Sequence, residues 1–185
     1  GTTLVATKYF NKDTTVLNKK VSITENDSIK EAIDKVYDAV VLVEVYEGNQ
    51  MVSTGTGFVY KKDDNNGYII TNHHVIEKNG TVKITNTAGN TVEAKILGSD
   101  EYADIAVLSV DKEAALEVAQ IGSTEDIDLG DTVFTVGSPL GSDYMGTVTK
   151  GILSGKNRTV TVSLESGNYV VEVLQTDAAI NPGNS

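Results

Sequence analysis

The feature that most limits the fold of this chain is a series of short apolar runs, rich in Val, Ile and Thr, that are separated by turn residues. β-Branched residues favour strands, and runs bounded by Gly, Asn and Asp are typical of antiparallel hairpins. Six such runs precede residue 111: Val40–Tyr46, Gly57–Lys61, Tyr68–Thr71, Thr81–Thr85, Thr91–Leu97 and Asp104–Val110. Six short strands joined by tight turns predict a small closed β-barrel.

A second set of strands is predicted nearer the end of the chain. It comprises Thr132–Gly137, Gly146–Leu153, Thr159–Leu164 and Tyr169–Gln175. Four strands are fewer than the first barrel has, so we expect the second barrel to be incomplete. The predicted fold class is all-β, with two antiparallel barrels and one short N-terminal helix.

The remaining segments complete the predicted organisation. Residues 1–27 are polar and predict either an extended arm or a disordered tail. A helix is predicted to follow at Ser28, where a capping box with Glu31 precedes apolar residues at helical spacing. The predicted domains are therefore the arm (1–27), the helix and first barrel (28–110), a linker (111–130) and the partial second barrel (131–185). Within the linker, a short helical stretch is expected at Lys112–Val118.

Composition excludes several classes of function. The chain carries 26 acidic and 15 basic residues, a net charge of −11, which disfavours nucleic acid as a partner. The absence of cysteine excludes disulfides, thiolate metal sites and a Cys nucleophile. No cofactor is expected. The sequence has neither a membrane-spanning run nor a signal-peptide pattern, and it opens at Gly1 without a Met. We therefore expect any targeting segment or membrane tether to lie outside it.

The residues with the clearest chemical potential are two adjacent histidines and one aspartate. His73 and His74 follow a strand, and with no Cys or third His they cannot form a metal site alone, so a general base is the better interpretation. Asp104 opens the apolar run Ile105–Leu108, where a carboxylate needs hydrogen bonds. It is either an ordinary turn residue or the group that orients a histidine.

A third candidate lies at the end of the chain. The run Asn181–Ser185 is a tight-turn pattern, which is either an ordinary β-turn or a turn that presents the hydroxyl of Ser185. In the second case the backbone N–H groups of Gly183 and Ser185 can form an oxyanion hole. The order His, Asp, Ser along the chain is that of the chymotrypsin-type double barrel. In α/β-hydrolases the order is Ser, Asp, His, and in subtilisins it is Asp, His, Ser.

Three segments that contain these residues closely resemble the active-site motifs of HtrA/Deg proteases: Thr71–Val75, Ala103–Leu108 and Gln175–Ser185. Gly55–Val59 resembles the Gly-rich strand that precedes the His motif in that family, and Val133–Gly141 resembles the start of its second barrel. The resemblance extends from about Ser28 to Ser185 and implies a trypsin-like serine protease with a chymotrypsin-like fold. It implies a catalytic triad of His74, Asp104 and Ser185 and gives no role to His73. Asp177 is expected to form hydrogen bonds within its loop.

The resemblance also implies properties of the whole protein. These are ATP-independent cleavage of misfolded or secreted proteins and a homotrimer with Tyr9 and Phe10 as candidate contacts. They also include an exported location on the extracellular or cell-envelope face of a bacterium. The family has two further strands after the serine, so one alternative is an inactive fragment. The other alternative is a non-catalytic double-barrel chaperone or binding module that has kept the triad.

Overall fold

The computed structural model describes residues 27–138, 147–164 and 167–181. Helix α1 spans 27–37, which confirms the predicted N-terminal helix. All described strands belong to one compact unit that begins at Val36. No helix among these residues has the length and apolar character that would let it cross a membrane.

The first half of this unit is an antiparallel sheet of seven strands. The strands are β1 (Val40–Glu47), β2 (Gln50–Lys62), β3 (Asn66–Thr71), β4 (Thr81–Thr85), β5 (Thr91–Glu93), β6 (Lys95–Asp100) and β7 (Ile105–Asp111). Their order across the sheet is β5-β4-β1-β2-β3-β7-β6. A single helical turn, α2 (His73–Ile76), follows β3.

The predicted strand Thr91–Leu97 is wrong in one respect, because the chain divides it at Ala94. Residues of β5 pair with β4 at one edge of the sheet, whereas β6 pairs with β7 at the opposite edge. Ala94 is buried and donates its backbone N–H to the carbonyl of Val82. Because one residue connects two opposite edges, the sheet must curl until those edges meet, as in a barrel.

Alternation of apolar residues explains why these strands enclose a core. In β3 and β7 every second residue is buried, including Ile69 and Leu108, which are directly paired across the two strands. The core continues past β7 into Ala114 and Ala115. The predicted helical stretch at Lys112–Val118 is instead one 3₁₀ turn, Lys112–Ala114. It is short because burial of the two alanines and a hydrogen bond from Lys62 to the carbonyl of Ala115 hold the segment on the barrel.

The second sheet has three strands among the described residues: β8 (Thr132–Gly137), β9 (Thr147–Leu164) and β10 (Gly167–Thr176), in the order β10-β9-β8. Two of the predicted strands are therefore one, since β9 continues through Gly155–Asn157. Asn157 takes a left-handed conformation, φ 55°, at an irregularity in the strand, and the residues on either side of it still pair with β10. Val160, Val170 and Leu174 remain exposed, so this sheet is an incomplete barrel in the described part of the chain.

The turn between β2 and β3 is organised by Asp63, as the Asp/Asn/Gly pattern predicts. Its carboxylate accepts hydrogen bonds from the Tyr68 hydroxyl (2.7 Å) and from the backbone N–H groups of Asn65 (2.9 Å) and Asn66 (2.8 Å). The bond from Tyr68, followed by the two backbone bonds, lowers the pKa of Asp63 from 3.8 to about 2.

Replacing Tyr68 with Phe is expected to raise the pKa of Asp63 towards its ordinary value, because the hydroxyl is the largest cause of the shift. A carboxylate with a lowered pKa stabilises the fold above its unfolded value of 3.8, and this contribution is lost as the pH falls towards about 2. An NMR titration of the Asp63 carboxyl measures the change, with Tyr60→Phe as the matched control. An unchanged Asp63 titration in Tyr68→Phe would contradict the assignment.

Candidate active site

The pairing of β3 with β7 brings the two halves of the candidate site to one edge of the barrel. Thr71, the last residue of β3, pairs with Ala106 near the start of β7. His74 lies three residues after Thr71 in α2, and Asp104 lies two residues before Ala106 in the turn that precedes β7. Residues 30 positions apart in the sequence are therefore neighbours in the fold.

His74 and Asp104 are joined by two hydrogen bonds. The His74 Nδ1 atom lies 2.8 Å from Asp104 Oδ2, and the backbone N–H of His74 donates to Oδ1 at 2.9 Å. An ionised carboxylate can only accept, so this contact requires the proton on Nδ1, and in the neutral imidazole Nε2 then carries the lone pair. The side chains are 65% and 42% exposed, so the pair is open to a substrate.

A second side chain also contacts Asp104. The Asn72 Nδ2 atom donates to the backbone carbonyl of Asp104 at 3.0 Å and to its Oδ2 atom at 3.2 Å. Sequence reasoning gave no role to Asn72. The only signal for it was its position just before a helical turn, where an Asn is ordinarily explained as a helix cap.

His73 is separate from these contacts. Its Nδ1 atom is buried and has no hydrogen-bond partner among the described residues. Neither histidine belongs to a group of three potential metal ligands in the described part of the chain. The structure therefore places His74, and not His73, against Asp104.

The remaining candidates follow the second sheet. Ser185 and Gly183 lie outside the described residues. The segment that leads towards them is held on β9, where the Asp177 carboxylate accepts the backbone N–H of Ile152 at 2.7 Å. The hydroxyl of Thr149 donates to the carbonyl of Ala179 at 2.8 Å. Asp177 is expected to form hydrogen bonds within its loop, but the bond that the structure gives its carboxylate instead joins the loop to β9.

A cavity of about 430 Å³ opens beside the His74–Asp104 pair. The first sheet and its connecting turns contribute His74, Asp104 and Tyr102 to the lining of the cavity. The β9–β10 hairpin contributes the apolar residues Val162 and Val171. The Tyr102 ring packs on the ring of Tyr169 in the hairpin, with 4.6 Å between centroids. The two sheets therefore form a partly apolar recess next to His74.

Comparison with known proteins shows the family to which the chain belongs. A family model described as the trypsin-like peptidase domain matches residues 55–185. The chain is 50% identical over 133 residues to the serine protease Do-like HtrA of Lactobacillus helveticus, covering 72% of this chain and 32% of that protein. The Lactococcus lactis subsp. cremoris protein of the same name is 36% identical over 189 residues, covering 89% of this chain and 46% of that one.

A solved structure supports the same assignment. The crystal structure of Deg5 matches with a TM-score of 0.70 and 32% sequence identity, covering 87% of this chain and 78% of that one. The fold is thus chymotrypsin-like. The chain belongs to the trypsin-like peptidase family, as a protease domain of the HtrA/Deg type. It spans between about a third and a half of the length of the two HtrA proteins.

Proposed function

We propose that this chain is the catalytic domain of a serine endopeptidase in which His74, Asp104 and Ser185 form the triad. The observation that carries the proposal is the contact between His74 Nδ1 and Asp104 Oδ2 at 2.8 Å, reinforced by the backbone bond to Oδ1. This arrangement fixes the imidazole with Nε2 available as a general base. Membership of the trypsin-like peptidase family supports Ser185 as the nucleophile.

The proposed reaction proceeds by acyl transfer. Ser185 Oγ attacks the carbonyl carbon of the scissile peptide while His74 Nε2 takes the hydroxyl proton, and Asp104 stabilises the imidazolium that forms. The backbone N–H groups of Gly183 and Ser185 stabilise the oxyanion. His74 then gives its proton to the leaving amine, which leaves an acyl-enzyme. Water, activated by His74, hydrolyses the ester and releases Ser185.

The wider role is proposed from the family resemblance. The substrates are misfolded or secreted polypeptides, cleaved without ATP, and the assembly is a homotrimer on the extracellular or cell-envelope face of a bacterium. Tyr9 and Phe10, the candidate trimer contacts, lie outside the described residues. The recess beside His74 supports a polypeptide substrate, because its apolar wall fits an amino-acid side chain.

The deciding experiment is to react the full chain with a fluorophosphonate probe and to measure its intact mass. A single adduct that maps to Ser185 is expected, since only a serine activated by its base and oxyanion hole reacts readily with such probes. Ser185→Ala is the matched control and should remain unlabelled. A folded full chain that gives no adduct would contradict the proposal and favour an inactive fragment or a non-catalytic binding module.

A further inference from the structure

Asn72 occupies the position of a helix cap but does not act as one. It immediately precedes α2 and has the extended backbone of a cap residue, φ −80° and ψ 145°, yet its side chain makes no capping hydrogen bond. An Asn at this position ordinarily accepts a hydrogen bond from the first turn of its own helix. Here the amide is instead directed to Asp104, 32 residues later in the chain.

Asp104 needs such a contact because its backbone is strained. Its φ of 52° lies in the left-handed region, and among the described residues other than glycine only Asn157 shares this property. A residue persists in this region when surrounding contacts hold it there. Asn72 Nδ2 supplies one of them to the backbone carbonyl of Asp104, at 3.0 Å.

The same nitrogen also contacts the side chain of Asp104. Its second contact is with Oδ2, the oxygen that His74 Nδ1 also contacts. This carboxylate oxygen therefore accepts hydrogen bonds from both Asn72 and His74. The backbone N–H of His74 occupies the other oxygen, Oδ1. With these donors in place, the carboxylate cannot rotate away from the imidazole without losing hydrogen bonds.

We propose that Asn72 is a positioning residue, whose amide fixes the backbone and the carboxylate of Asp104 and thereby keeps His74 in the orientation and tautomer that general-base catalysis requires. This inference rests on the proposed protease function. In this proposal Asn72 affects catalysis only by positioning Asp104 and does not contact the substrate.

The test uses two variants of Asn72 in the full chain. Asn72→Ala removes both bonds to Asp104 and is expected to lower kcat by about 10- to 100-fold with little change in KM, because small misplacements of a catalytic group cost this much. Asn72→Asp keeps the size of the side chain and its preference for a cap position, but it places a second negative charge close to Asp104. The acidic limb of its pH–rate profile is expected to move to higher pH, because the added charge stabilises the imidazolium.

The pH readout separates positioning from general stability. Neither variant replaces any of the other titratable groups that line the cavity around the pair, which are His73, Glu77, Glu101, Tyr102 and Glu172. Thr71→Val is the matched control, because it removes a hydrogen bond from the neighbouring residue to the carbonyl of Thr56 without touching Asp104. We expect this control to lower the melting temperature and to leave the acidic limb in place.

Each outcome bears on a different claim. If the wild-type chain fails to react with the fluorophosphonate probe, the proposed function itself fails. If the wild type reacts and hydrolyses peptides while Asn72→Asp keeps the wild-type kcat and pH profile, the inference about Asn72 is overturned alone. Should Asn72→Ala not fold, Asn72→Asp still decides, because it keeps the size and shape of the side chain.

Discussion

Replacing His74 with Ala is expected to lower kcat by a factor on the order of 10⁵ to 10⁶, because the proposed triad then has no base to accept the proton of Ser185. The loss should appear in kcat rather than in KM, since the imidazole acts on the reacting serine. Steady-state cleavage of a peptide substrate measures it, and circular dichroism verifies that the fold is retained.

The adjacent histidine supplies the control for this prediction. His73→Ala changes the same residue type one position earlier, but the Nδ1 atom of His73 makes no hydrogen bond within the described part of the chain. We expect its kcat to remain within a few fold of the wild type. Equal losses in the two variants would mean that the turn at α2, and not His74 itself, is what activity requires.

Replacing Gly151 with Ala is expected to reduce kcat/KM by about 100-fold, because the added methyl group displaces the segment that leads to Ser185. A Cβ atom at Gly151 would overlap the backbone nitrogen of Ala178 and the Oδ1 atom of Asp177, and it would lie 2.7 Å from Ala178 Cα. Backbone atoms cannot yield as a flexible side chain can, so the segment must shift. The rate of probe labelling at Ser185 measures the result.

Gly98→Ala is the matched control for Gly151→Ala. Gly98 also lies in a strand, β6, but a Cβ atom there meets nothing within 4 Å. The melting temperature should change little in the control, and labelling should be as in the wild type. Wild-type labelling of Gly151→Ala would show that the close approach of β9 to residues 177–178 does not position the nucleophile.

Local chemistry accounts for the parts of the fold that could be predicted. The Asp63 turn and the alternation of buried residues in β3 and β7 are encoded within a few neighbouring residues, so the sequence alone predicts them. The division at Ala94 could not be predicted, because one apolar run pairs with two different strands. Likewise the run Gly155–Asn157 resembles a turn in sequence, and it lies within β9 because Gly155 and Arg158, on either side of Asn157, pair with β10.

In the candidate site, too, some residues could be predicted from the sequence and others could not. The sequence motifs identified His74 and Asp104, and the structure brings them together. The role of Asn72 could not be predicted, because an Asn before a helical turn is sufficiently explained as a cap. The proposed roles of Gly183 and Ser185 remain predictions, since both residues lie outside the described part of the chain.

The connection at Ala94 has a consequence for the handling of this protein. A sheet with free edges presents rows of unpaired N–H and C=O groups that recruit strands from other molecules. Here the two outermost strands of the first sheet are tied together by one buried residue. Proteolytic cleavage or a loop insertion at this position would disconnect β5 from β6. Both edge strands of the sheet would then be exposed to other molecules. Residue 94 is therefore a poor site for tags or insertions, and damage there would promote aggregation.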